Sequence, residues 1–117
     1  MKAKATYWQR GETLDYANAT EEKIEAGEIL TIGSIIGVAG TDIEPGEVGS
    51  AHIEGVYYLP KKEAAEIALG APVCFKDGAV EDFADGEIFA GIAVAKAETT
   101  DATVLVKINA GNAAKKA

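Results

Sequence analysis

Apolar and polar residues alternate along several short segments of this chain, and glycines lie between the segments. In residues 102–109, Val104, Val106 and Ile108 share one face while the intervening residues share the other, which is the two-residue period of a β-strand. Thirteen glycines in 117 residues favour many short strands joined by tight turns. The pattern predicts strands at residues 13–16, 29–32, 35–39, 47–54, 56–59, 72–75, 87–95 and 102–109.

The turns between these strands have their own sequence signals. Asp77-Gly78 and Asp85-Gly86 are tight-turn pairs, because glycine accepts the positive φ that such turns require. Residues 40–42 and residues 44–47, which include Pro45-Gly46, are predicted to be turns as well.

One short helix is predicted near residues 60–69. Pro60 suits the first helical position, where its missing N–H leaves no hydrogen bond unmade. Ala64, Ile67 and Ala68 share a face at helical spacing, and Gly70 supplies a C-terminal stop. Because the segment is short, we expect this helix to cap a β-barrel rather than to form part of its core.

These elements predict a mainly β fold, a compact β-barrel in a single domain. The two ends of the chain differ from its middle, since the first ten residues have no regular period and the last seven are small or basic. We therefore divide the chain into an N-terminal arm at residues 1–10, a β domain at 11–109 and a frayed C-terminal tail at 110–117.

Charge and hydropathy argue against two classes of partner. Nineteen acidic residues against eleven basic ones give a formal net charge of −8, and nucleic-acid binding depends on lysine and arginine. The apolar runs are far shorter than the roughly 20 residues of a membrane-spanning helix, and the first residues do not resemble a secretory signal. We expect no nucleic acid and no membrane as partners, and synthesis in the cytoplasm.

The residues offer little catalytic chemistry. The glycine-rich segment 33–40 lacks the lysine of a phosphate-binding loop. His52, the only histidine, is predicted on the polar face of a strand beside Glu54, and Cys74, the only cysteine, is predicted to be a buried thiol. One histidine and one cysteine cannot complete a four-ligand zinc site. We therefore expect no enzyme activity, no catalytic residue and no cofactor.

Acidic residues cluster in two predicted turns, but without the ligand spacing of a calcium loop. We interpret them as solvated turn residues and expect no metal site. The two clusters are Asp42, Glu44 and Glu47, and Glu81, Asp82, Asp85 and Glu87.

Two alternative functions stay open. A small β-barrel accessory domain that binds a carbohydrate or another ligand should expose clustered aromatic side chains. Tyr57 and Tyr58 are adjacent, so they are predicted to point to opposite faces of one strand and not to form such a cluster. A hydrolase needs only two carboxylates, and a deep acidic cleft would favour it.

The N-terminal arm contains the residues that we predict to bind a partner. Tyr7 and Trp8 are large aromatic residues among polar neighbours, and Arg10 lies beside them. These residue types most often dominate the energy of protein interfaces. The arm would contact a partner protein or a neighbouring subunit, in one version by adding a strand to an exposed sheet edge; in the alternative, Tyr7 and Trp8 fold back onto their own domain.

A set of glycine and apolar landmarks, in a fixed order over residues 10–109, resembles a family of small phage and prophage proteins described as capsid cement or head decoration proteins. No landmark is specific alone; the order of the set supports the resemblance. The landmarks are GETLDY at 11–16, AGEI at 26–29, GSIIGVA at 33–39, PGE at 45–47, EGVYYLPK at 54–61, LGAPVCF at 69–75, GIA at 91–93 and ATVLVKIN at 102–109.

The resemblance implies a fold and a function. The fold would be similar to the β-clip or β-tulip domains of trimeric decoration proteins, so residues 11–109 would be the decoration domain. The protein would be a structural virion protein that binds the major capsid protein on the exterior of an assembled capsid, as a homotrimer, after synthesis in the cytoplasm of the bacterial host. The resemblance supplies no catalytic residues to this chain.

Overall fold

The computed structural model describes residues 2–111, and in this range the chain forms nine β-strands. The mainly β prediction is confirmed. Within residues 2–111 no helix is long and apolar enough to cross a membrane. The strands are β1 (Thr13–Ala17), β2 (Ile29–Ile32), β3 (Ile35–Ala39), β4 (Val48–His52), β5 (Val56–Pro60), β6 (Pro72–Lys76), β7 (Ala79–Asp82), β8 (Ile88–Ala93) and β9 (Thr103–Ile108).

The strands form two antiparallel sheets, and the chain completes the first before it enters the second. The first sheet has the strand order β1-β4-β3-β2, and the second has the order β5-β9-β8-β6-β7. A two-residue turn joins β6 to β7, and its residues Asp77 (φ 53°) and Gly78 (φ 80°) both have positive φ. This confirms the tight turn predicted there and is the geometry of a type I′ hairpin.

Two hydrophobic clusters hold the sheets. The larger cluster packs Ile36 and Val38 of β3 against side chains of the second sheet, including Val73, Val80 and Val106. The smaller cluster lies on the other face of the first sheet. Its buried members are Ile24, Leu30, Ala39, Ile43 and Ala51.

The second sheet does not close on itself, so the predicted β-barrel is wrong. Within residues 2–111, its edge strands β5 and β7 approach each other through a parallel bridge between Lys61 and Val80. Lys61 is buried, and its ammonium donates hydrogen bonds to the backbone carbonyls of Lys62 (3.1 Å) and Ala65. These hydrogen bonds stabilise the contact between β5 and β7, but they do not form the continuous strand pairing that would close a barrel.

The helix predicted near residues 60–69 is also wrong, because the backbone of this segment pairs with other parts of the fold. Pro60 is the last residue of β5. Ile67 is fully buried and exchanges two hydrogen bonds with Ala97, of 3.0 and 2.8 Å. Ala64 and Ala68 are exposed. Of the three residues predicted to share a helical face, only Ile67 is buried, and it lies between two turns.

The division into arm, domain and tail stays a prediction. Residues 2–10 have no strand or helix, and β1 begins at Thr13. Most of the predicted frayed tail, residues 112–117, lies outside the described residues.

A four-residue turn recurs in this fold, and its third residue has a positive φ, as a type II turn requires. Each turn is closed by a hydrogen bond of 3.0–3.2 Å from the fourth N–H to the first carbonyl. The turn predicted at 44–47 is one of them. In four of these turns the third residue is glycine, and in the turn at 62–65 it is Ala64 with φ 65°. The glycines are Gly27, Gly46, Gly70 and Gly86.

We expect Ala64→Gly to stabilise the protein by about 0.5–1 kcal/mol. Left-handed backbone costs an L-residue about 1–2 kcal/mol, and glycine avoids that cost. Part of the gain is offset because glycine loses more conformational entropy than alanine on folding. Ala64 is exposed, so little packing is lost. The matched control is Gly70→Ala, where φ is 84° and the added Cβ would meet no atom within 4 Å. Urea denaturation should show shifts of opposite sign for the two variants. Shifts of equal sign would contradict this account.

A carboxylate ties two turns of the first sheet together. Asp42 accepts a hydrogen bond from the Ala26 N–H (2.9 Å) and lies 3.4 Å from the Lys23 ammonium. The Ala26 hydrogen bond, followed by Lys23, lowers the pKa of Asp42 below its ordinary value of 3.8. A carboxylate with a lowered folded-state pKa stabilises the fold fully above its unfolded pKa and loses that contribution as the pH falls through the folded pKa.

We therefore expect Asp42→Asn to lower the melting temperature at neutral pH. The difference between wild type and variant should persist down to about pH 4 and shrink below it, as Asp42 in the wild type takes up a proton. Melting curves of both proteins from pH 7 to pH 2 measure this, and the difference between them removes the titration of the other carboxylates. A difference that is constant to pH 2 would contradict the assignment.

Candidate interaction surface

The N-terminal arm (residues 2–10) exposes the aromatic residues that the sequence singled out. Tyr7 is 80% exposed and Trp8 is 83% exposed. Arg10 forms an ion pair of 2.9 Å with Glu12, and both side chains are largely in solvent. The structure thus presents all three predicted contact residues in one exposed segment. Their contact with a capsid or with a neighbouring subunit stays a prediction.

The arm joins the domain beside the second sheet. The Glu12 carbonyl accepts a hydrogen bond of 2.9 Å from the Ile53 N–H, and Gly11 borders a shallow depression that Gly55 and Lys107 also line. Gly55 directly precedes β5. The arm therefore leaves the domain at the start of this edge strand, although the first strand of the chain belongs to the first sheet.

The outward-facing side chains of β5 and β9 form a mostly uncharged surface, which we call the outer face. Tyr58 is 74% exposed and Val56 is 51% exposed. Tyr58 pairs with Leu105, which is half-buried. Tyr57 packs against the larger core cluster, so the prediction that the two tyrosines point to opposite faces is confirmed. The members of the outer face are Val56, Tyr58, Pro60, Thr103, Leu105 and Lys107.

A second depression, of about 300 Å³, is lined by lysines, but each of them is already engaged. Lys61 is bound to backbone carbonyls, as described above. Lys62 lies 3.0 Å from Glu81, and Lys76 lies 4.0 Å from Glu87. The hydrogen bond with Glu81 raises the pKa of Lys62. Because carboxylates already neutralise the two exposed lysines, the depression is a poor site for an anion.

The two predicted acidic clusters pair with lysines, and their members lie in turns except for Glu81 and Asp82, which belong to β7. Lys23 lies 3.4 Å from Asp42 and 4.0 Å from Glu44. The second cluster pairs through Glu81 and Glu87 with the lysines just described. In residues 2–111, no group of three or more histidine, cysteine, aspartate or glutamate residues is arranged to hold a metal ion. The clusters therefore form local surface ion pairs.

The only cysteine and the only histidine of the chain belong to different sheets. Cys74 is fully buried, and burial raises the pKa of its thiol, as expected for an inert cysteine. His52 lies at the end of β4 and is half-buried rather than solvated; its ring packs over Gly40, where an added Cβ would lie 2.7 Å from Nε2. His52 is thus a packing residue in the first sheet.

Comparison with known protein families identifies a match over most of the chain. A family model described as phage cement protein matches residues 8–108 of the chain. No curated protein and no solved structure matches the chain. The matched range begins at Trp8 and ends at the last residue of β9, so it includes both sheets and Trp8 but not Tyr7.

Proposed function

This chain belongs to the phage cement protein family, and we propose that it binds the exterior of an assembled capsid as a homotrimer and stabilises the shell. The family implies a structural role in association with the capsid, and the major capsid protein is the binding partner that follows from it. We propose in addition that the protein forms a trimer, stabilises the shell, lies on its exterior and has no catalytic activity.

One observation carries the proposal beyond the family. The arm exposes Tyr7 and Trp8 to solvent at 80% and 83%, and a contiguous pair of exposed aromatic residues is typical of a protein interaction site. In a cement protein the expected partners are the capsid and neighbouring copies. Tyr58 is the only other aromatic residue among the largely exposed apolar side chains of residues 2–111, which gives a carbohydrate-binding platform little support.

Cementing needs binding energy and no chemical step. A protein that binds the assembled shell and not the separate subunits stabilises the assembly by mass action. Three linked copies bind more persistently than one, because the second and third contacts become intramolecular. The net charge of −8 suits a surface that faces solvent and stays apart from packaged nucleic acid.

The direct test mixes the purified protein with shells that lack decoration. We expect the protein to co-sediment with the shells, to appear on their outer surface in electron micrographs, and to raise the temperature at which the shells dissociate. The matched control uses dissociated capsid subunits, to which we expect no binding. Equal binding to shells and free subunits, or no binding to shells, would overturn the proposal.

We expect removal of residues 2–9 to weaken shell binding at least about 30-fold, because truncating an aromatic hot-spot residue at an interface costs about 2 kcal/mol or more. Folding should be unaffected, since the arm has no strand and no buried aromatic ring. Co-sedimentation measures binding, and circular dichroism measures folding. The control is the double variant Lys2→Ala/Lys4→Ala, which keeps both aromatic residues and should lose less. Unchanged shell binding by the shortened chain would exclude the arm as a contact.

A further inference from the structure

We infer that the N-terminal arm of one copy docks on the outer face of a second copy, so that Tyr7 and Trp8 of the first cover Val56 and Tyr58 of the second. This inference rests on the proposed function, since it names how the copies of the trimer hold one another.

The arm and the rest of the chain carry opposite charges. Residues 1–10 contain three of the eleven basic residues and none of the nineteen acidic residues, which leaves eight basic against nineteen acidic side chains, a formal charge of −11, in residues 11–117. Two acidic domains repel each other at long range, whereas a basic arm is attracted to the field of an acidic domain. A second copy of this chain therefore supplies the charge that the arm lacks.

The outer face offers what the aromatic residues of the arm require. Five of its six side chains are uncharged, with Lys107 as the exception, in a chain of which 26% of residues are charged. Tyr58 and Val56 are exposed there beside Leu105. Asp101 and Lys96 both line the groove next to Tyr58. Lys96 is paired with Glu66 and Glu98, so Asp101 adds an acid to the same surface. An aromatic and basic arm matches this combination of an apolar strip and a nearby carboxylate.

Within residues 2–111, no further strand covers the outer face on its β5 side. β5 is an edge strand that pairs with β9, and in an antiparallel pair the backbone groups of alternate residues point away from the partner strand. These groups can bind an arm that lies along the edge of the outer face. Pro60 and the bridge at Lys61 end the edge on one side, so the open part is the segment that contains Val56 and Tyr58.

Within one copy, the arm begins close to the outer face, but its aromatic rings do not cover that face. The arm leaves the domain at Gly11, beside Gly55 and the start of β5, yet Tyr7, Trp8 and Tyr58 are all more than 70% exposed. Reciprocal exchange between copies would bury all three rings without moving either sheet. Because each copy has one arm and one face, the exchange can also continue around a closed ring of three.

Trp8 is the only tryptophan in the chain, so its fluorescence reports on the arm alone. We expect its emission to shift to shorter wavelength as the protein concentration rises, in parallel with association in sedimentation velocity. We expect Tyr58→Glu to abolish both changes. The matched control is Val48→Glu, which places the same charge at a residue of the first sheet that is 64% exposed and should leave both changes intact. Should Tyr58→Glu fail to fold, Tyr58→Ser removes the ring without adding charge.

A mixing experiment separates the possible partners of the arm. The chain without residues 2–9 keeps an intact outer face but has no arm. The Tyr58→Glu chain keeps its arm, but its outer face can no longer bind one. Each should be monomeric alone, and their mixture should form a heterodimer. A mixture that stays monomeric, an emission that does not depend on concentration, or an arm-free chain that associates like the wild type would each overturn the inference. All of these measurements omit the capsid, so shell binding can still stand if the inference fails.

Discussion

Gly91→Ala is expected to destabilise the protein by about 3–5 kcal/mol, the largest effect of any single methyl group in this fold. Small domains are stable by only about 5–15 kcal/mol, so the variant should unfold at far lower urea concentration and express largely as insoluble protein. The effect is expected because Gly91 combines a backbone conformation that alanine avoids with a position that has no room for a side chain.

The position of Gly91 explains both costs. Gly91 lies in β8, pairs with Ile108 of β9 and has φ 136°. A Cβ on Gly91 would lie 2.1 Å from the Lys107 carbonyl oxygen and 3.0 Å from the Asn109 nitrogen. Both of these are backbone atoms at the centre of the second sheet, so the clash could be relieved only by separating β8 from β9. The register shift of the β6–β8 pair next to Val73 occurs at the same place, as is common where a bulge re-aims a strand.

Gly46→Ala is the matched control for this prediction. Gly46 also has a positive φ, of 83°, but an added Cβ there would meet no atom within 4 Å. Gly46→Ala should therefore cost only about 1 kcal/mol, the backbone part of the effect. Urea denaturation of the two variants separates strain from clash. Equal losses would mean that β8 and β9 can move apart, and would contradict the geometry at Lys107.

The sequence predicted the strands well because their period is local. The eight predicted segments correspond to strands, and the alternation in β9 is confirmed by the burial of Val104, Val106 and Ile108. β7 was missed because its four residues, Ala79–Asp82, include two acids and only one fully buried side chain, Val80. Its strand structure comes from its pairing with β6.

The two predictions that proved wrong, the helix near residues 60–69 and the closed barrel, share one physical origin. The helix near 60–69 and the closed barrel both depend on contacts between residues far apart in the chain, such as Ile67 with Ala97 and Lys61 with Val80. Apolar residues three and four positions apart occur on one face of a helix, but they also occur where a single buried residue lies between two turns. Local pattern cannot distinguish them, because the distinguishing hydrogen bonds go to distant segments.

For the candidate interaction surface, residue chemistry identified Tyr7, Trp8 and Arg10. The alternation of Tyr57 and Tyr58 also showed that one tyrosine must face outward. Which one does so depends on the register with β9, where Tyr58 pairs with Leu105. The nearness of the arm to the outer face depends on the path of the chain between the sheets. Neither the register nor this path has a signal in the sequence.

Asn109 was missed for the same reason, although it joins the two sheets. It follows β9 in the second sheet, and its side-chain NH₂ donates to the carbonyls of Ile36 (2.8 Å) and Ile53 (2.9 Å). Its side-chain oxygen accepts from the Ile36 N–H at 3.2 Å. Ile36 belongs to β3, so one amide satisfies backbone groups of the first sheet from the end of the second. Asparagine also tolerates the φ of 56° found here better than other non-glycine residues.

We expect Asn109→Gly to destabilise the protein by about 2–3 kcal/mol. The substitution leaves up to three backbone groups of Ile36 and Ile53 without their partner, and an unsatisfied buried group costs about 1–3 kcal/mol unless water replaces the lost bond.

Asn109→Ala should cost about 1 kcal/mol more, because alanine adds strain at positive φ while glycine does not. This order reverses the usual one, in which glycine is the more destabilising replacement. The urea denaturation midpoints of the two variants therefore test the assignment. If Asn109→Ala proved the more stable of the two, the backbone at Asn109 would not be held in its left-handed conformation. If neither variant lost stability, the two sheets would be held by their shared apolar core alone.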